Sequence, residues 1–176
     1  MKKIAYNITQ NNNELFLFKE NATKSMYNSF WYMEFGKTCA EIKNENEKKL
    51  YTITKKFQFW KWRMVYLITK NVNDKSILIS QNSRNTIFKI ELLEDDYEIK
   101  VHYKKKKSIY KNNLKIAEFD ELLAEENSVK LLVSDANDLE IIFLLYVCLL
   151  IGVNDFASKT VLKSQKQLEK NTEPWF

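Results

Sequence analysis

The sequence predicts a mainly β domain, a closed antiparallel β-barrel enclosing one apolar α-helix near its C-terminal end. Three observations predict it. From about Leu50 to Phe119, apolar and polar residues alternate in short runs, a period of two that sets one face on a core and the other in water. Polar clusters rich in Asn, Asp and Ser part these runs at short intervals, as the turns of hairpins do. The alternation then stops, and Leu139 to Ile151 is apolar except at Glu140.

The elements follow in order. Met1-Lys2-Lys3 leads into an alternating stretch, Ile4 to Thr9, rather than an apolar leader segment, so no signal peptide is expected and the default location is cytoplasmic. Asn7-Ile8-Thr9 and Asn21-Ala22-Thr23 fit the glycosylation pattern, which has meaning only for a secreted chain. Leu15 to Phe18 and Ser29 to Ile42 read as strands. Tyr51, Ile53, Phe57 and Phe59 share one face, as do Trp62, Met64, Tyr66 and Ile68. Phe88, Ile90 and Leu92 repeat the pattern, followed by Tyr97, Ile99, Val101 and Tyr103. Turns are expected at Asn44 to Lys49, Asn71 to Asp74, Gln81 to Asn85 and Glu94 to Asp96. There Asn and Asp, which tolerate left-handed backbone, replace the scarce glycines. Val129 to Val133 is the last strand.

A helix over about 138–152 closes the pattern. Asn137 is placed as its N-cap with Glu140 completing a capping box, and Gly152 can end it. At about 1.5 Å per residue it spans on the order of 20 Å, short of the roughly 18 to 20 apolar residues of a membrane span. A helix apolar on every side must then be enclosed by protein. Strands with one apolar face supply the enclosure, and closing their sheet removes its exposed edges. Residues 1–155 are read as one barrel domain and 156–176 as a polar tail, with a short helix or a frayed end both open.

Lys49 to Phe57, followed by Trp60-Lys61-Trp62-Arg63-Met64-Val65-Tyr66, resembles paired strands of the tubby C-terminal-like superfamily, which includes phospholipid scramblases and LURP-one-related proteins. Tyr97-Glu98-Ile99, Leu114-Lys115-Ile116-Ala117 and the apolar helix fit the same order, so the resemblance runs from about Ser29 to Asp155. It implies a closed barrel of about twelve strands threaded by the helix, and binding to phosphoinositides or membranes. No phosphoinositide-binding residue of the group matches position by position, and none is carried over. The chain has neither an evident calcium-binding segment nor a proline-rich arm.

Composition narrows the functions. With 176 residues, two glycines and one proline, the chain holds one domain and lacks the material for glycine-rich phosphate loops. A net charge of +5 is compatible with nucleic acid or an anionic membrane. No helix-turn-helix, zinc-knuckle or RNP-like signature is present, so sequence-specific nucleic-acid binding is not expected. Cys39 and Cys148 fit no metal motif and are expected as free thiols. His102 shares a polar face with Glu98, Lys100 and Lys104, and Glu94-Asp95-Asp96 reads as a turn. No catalytic residue, metal or cofactor is assigned.

Two basic clusters remain as candidates. Lys55, Lys56, Lys61 and Arg63 interleave with Phe57, Phe59, Trp60 and Trp62. Cations attract anionic head groups and Trp favours the membrane interface, while a core made of Phe57, Phe59 and Trp62 with solvated cations outside explains the same pattern. Lys104, Lys105, Lys106 and Lys107 form the second, a candidate phosphate contact or a solvated loop. The leading function is a non-catalytic module for anionic phospholipid or a membrane surface, placing the protein at the membrane periphery. The alternative is an adaptor or inhibitor with a protein partner, and a small-molecule barrel or enzyme stands third.

Overall fold

The computed structural model describes residues 3–71, 74–102, 106–121 and 128–152. The first six strands are β1 (Ile4–Asn11), β2 (Glu14–Lys19), β3 (Tyr27–Glu34), β4 (Lys37–Asn44), β5 (Lys49–Gln58) and β6 (Arg63–Asn71). The rest are β7 (Asp74–Ser80), β8 (Ile87–Leu92), β9 (Asp95–Val101), β10 (Lys106–Lys111), β11 (Leu114–Asp120) and β12 (Ser128–Val133). Each pairs antiparallel with its sequence neighbours, and β1 pairs with β12 from Ile4↔Val133 to Thr9↔Ser128, closing the ring. The single segment expected over Ser29 to Ile42 is two strands, because Phe35 and Gly36 take left-handed backbone at φ 45° and 72°.

The alternation behaves as expected where the barrel has something to enclose. Leu15 and Leu17, Tyr51 and Ile53, Tyr66 and Ile68, and Val129, Leu131 and Val133 are buried. They pack around α1 (Leu139–Leu150), and every side chain from Ile142 to Cys148 is fully buried. Among the described residues no helix is long and apolar enough to cross a membrane. Both cysteines are free and buried, and burial pushes the Cys148 thiol well above its usual pKa.

The turns show why so few glycines suffice. Asn44 Oδ1 accepts the amides of Asn46 and Lys48 at 3.1 and 3.0 Å, and Asn82 Oδ1 that of Thr86 at 2.9 Å. Asn112 and Asn113 both adopt positive φ. At the helix entry the expected cap is displaced. Asn137 does not cap: its amide donates to Asp135 Oδ1 at 3.0 Å within a 3-10 turn (Ala136–Asp138) that Asp135 opens before α1. Glu140 faces the barrel wall and accepts the Tyr51 hydroxyl at 2.6 Å, so no capping box forms. Gly152 follows the helix at φ 78°, the left-handed exit expected of it.

An up-and-down ring sorts its connections. The odd-numbered strands end at one end of the barrel; the even-numbered strands end, and α1 starts, at the other. The helix ends at the first of these, where Lys55 Nζ donates to the Ile151 carbonyl at 2.6 Å.

Candidate functional site

The β5–β6 hairpin reaches past the end of the helix. Lys55 lies in register with Tyr66, and pairing continues to Gln58↔Arg63, about three residues or roughly 10 Å further. Lys55 has the inward parity of Tyr51 and Ile53, which is why its ammonium meets the last helix carbonyl. Burial holds its pKa below the usual lysine range. Phe57 has the same parity, but no helix stands opposite it. Phe57, Phe59 and Trp62 are therefore exposed, and the expectation that these rings could form core is corrected. Alternation reports which way a side chain points, not whether anything waits there.

The tip is built locally. Phe59–Lys61 form a 3-10 turn, and Trp62, at φ 46° and ψ 44°, donates its amide to the Phe59 carbonyl at 3.2 Å. The Trp62 ring lies 5.4 Å from Phe59 and 6.1 Å, edge-on, from Phe57, so the rings cluster on one another outside the barrel. Trp60 is 83% exposed. Lys56 and Lys61 are exposed beside it, and Arg63 Nε donates to Gln58 Oε1 at 2.7 Å. The result is an apolar knob flanked by cations.

The second basic run divides. Lys104 and Lys105 lie outside the described residues, as does the 156–176 tail. Lys106 reaches Asp120 at 3.7 Å. Lys107 is buried, a correction to its place on an outward phosphate-binding patch. It pairs with Glu121 inside the barrel, with its Nζ 5.7 Å over the Tyr146 ring. Tyr146 stacks on Phe119 at 4.2 Å and donates its hydroxyl to Glu121 at 2.9 Å; burial, first, and the Glu121 carboxylate push the phenol's pKa far up. Lys106 and Lys107 nevertheless begin β10 at the same barrel end as the aromatic tip.

His102 and Asp95 have partners within the barrel wall. His102 is exposed, its ring 3.0 Å from Ser108 Oγ. Asp95 is held by Asn112 at 2.7 Å and Lys111 at 3.1 Å; these bonds keep its carboxyl below the usual range. Sequence reasoning missed Met33 and Phe35, exposed at the β3–β4 tip. The available signal was an aromatic placed before one of only two glycines.

A family model described as Tubby C-terminal like domain matches residues 18–152. Searches of curated proteins and of solved structures find no match. The match supports a non-enzymatic binding module in general, in a family whose domains bind lipids or proteins. Its span runs from the end of β2 to the glycine after α1, taking in β3 to β12 and the enclosed helix, and the chain belongs to the Tubby C-terminal like domain family.

Proposed function

We propose that this domain binds an anionic membrane surface through the β5–β6 tip. One observation carries the reading: Phe57, Phe59, Trp60 and Trp62 stand exposed together beyond the end of the barrel core, beside Lys56, Lys61 and Arg63. Single exposed apolar residues are ordinary, whereas contiguous ones mark an interaction surface. Trp and Phe are stable at the lipid interface, and each nearby cation adds about 1 kcal/mol on an anionic leaflet. That reading implies a cytoplasmic protein held at the membrane periphery.

Co-sedimentation with phosphatidylcholine vesicles, with and without phosphatidylserine, tests it. Binding should require the anionic lipid and weaken with salt, since screening shortens to about 8 Å at physiological ionic strength. The variant K56Q/K61Q/R63Q should lose most binding while its stability stays within about 1 kcal/mol of wild type, as surface changes usually do. Lys55→Gln belongs in a separate arm. It removes a cation from the helix C-terminus, a loss of about 1 kcal/mol, so it reads out stability as well as charge. A wild-type protein that ignores anionic vesicles at low salt fails the proposal.

A further inference from the structure

Resting on that reading, we infer that the β3–β4 hairpin is a second membrane-inserting prong: Met33 and Phe35 enter the same lipid interface as the β5–β6 tip, and the barrel stands on the membrane by this end. The two hairpins are neighbours in the ring. β4 pairs with β3 as far as Glu34↔Lys37 and with β5 at Thr38↔Lys55, the level at which the helix stops. Met33 has the inward parity of buried Ser29 and Trp31, yet it is 69% exposed. It pairs with Thr38, level with Lys55 and the end of α1, so the helix does not cover it.

Phe35 is the sharper observation. It is 95% exposed, more than any other large apolar side chain among the described residues, and it occupies left-handed backbone at φ 45°. A two-residue hairpin turn with positive φ at both positions favours Asn before Gly, and this chain puts Asn at φ 48° in its β10–β11 turn. An aromatic residue at such a position is strained and gains no core contact in return. Neither local preference nor packing explains Phe35, whereas an external apolar phase does. Trp62 repeats the combination at the adjacent tip, exposed and at φ 46°. Leu93 shows the same combination at the opposite end, so the pairing of the two neighbouring tips and the charge of each end, and not strain alone, select the face.

Charge orients the barrel the same way. Among the described residues between strands, the opposite end carries Glu20, Glu45, Glu47, Glu94, Asp135 and Asp138 against Lys3, Lys24 and Lys48. The aromatic end carries Lys61 and Arg84 against Glu121, and on the adjoining strand ends exposed Lys37 and Lys56 are balanced by Glu14 and Glu34. An anionic surface repels the first end and attracts the second. Leu93, at φ 53° and 66% exposed, sits at the acidic end beside Glu94 and serves as the control.

The full-length chain is titrated with phosphatidylcholine/phosphatidylserine vesicles as wild type, M33S/F35N and Leu93→Ser. Because Asn suits the turn better than Phe, M33S/F35N should keep or raise the thermal midpoint. Its vesicle affinity should fall about 10-fold or more, the loss of apolar side chains from a buried site, and Leu93→Ser should match wild type in affinity. Unchanged affinity in M33S/F35N, with binding still lost in K56Q/K61Q/R63Q, overturns the second prong and leaves the β5–β6 tip alone. Wild type that binds no vesicles overturns both readings. A wild-type dimer that M33S/F35N dissolves, with no vesicle binding, overturns the lipid in favour of a second copy of this chain.

Discussion

Leu145→Asp should abolish folding. Leu145 is fully buried midway along a helix that the β-strands surround, and an unpaired charge placed there costs several kcal/mol. A domain of ordinary stability has only about 5 to 15 kcal/mol in total. Circular dichroism of the purified variant should show no cooperative melting transition, whereas Leu145→Met, which nearly conserves volume, should melt within about 1.5 kcal/mol of wild type. A well-folded Leu145→Asp variant with a wild-type melt would mean that the helix does not depend on the barrel that surrounds it.

The second large effect lies at Lys107. Lys107→Met leaves the buried Glu121 carboxylate without its cation and should cost about 3 to 5 kcal/mol in chemical denaturation. K107M/E121Q should recover most of that loss, because Gln still accepts the Tyr146 hydroxyl and no buried charge remains uncompensated. A double variant no more stable than the single one would show that the ion pair is not what holds β10, β11 and α1 together at this end.

The barrel and its helix were legible because both rest on repetition. Alternation from Tyr51 to Tyr97 and the run Leu139 to Ile151, apolar except at Glu140, are dictated by burial, and burial is what the pattern records. Details set by single side-chain choices were less legible. Asp135 caps a 3-10 turn ahead of the helix, and Glu140 turns to Tyr51, a long-range partner that local spacing does not reveal. Lys107 reads as one more cation in a basic run until Tyr146 and Glu121 are brought beside it. The aromatic tip is the instructive case. Phe57 obeys the inward parity, and only the point at which the helix stops, level with Lys55, leaves it outside the core; Trp62 falls in the turn, before β6 begins. Phe35 was silent for a related reason, since its meaning lies in a left-handed backbone and in its neighbour across β4.

The central claim, that rings at this barrel end enter lipid, is tested most directly by contact quenching. Vesicles of phosphatidylcholine and phosphatidylserine with brominated acyl chains quench only indoles that reach the hydrocarbon boundary. Trp31 is buried in the barrel, so quenching that depends on Trp60 and Trp62 reports the tip. The account predicts strong quenching of wild-type emission on these vesicles at low salt and loss of most of it in W60F/W62F. Emission from wild type that the brominated chains leave unquenched would contradict it.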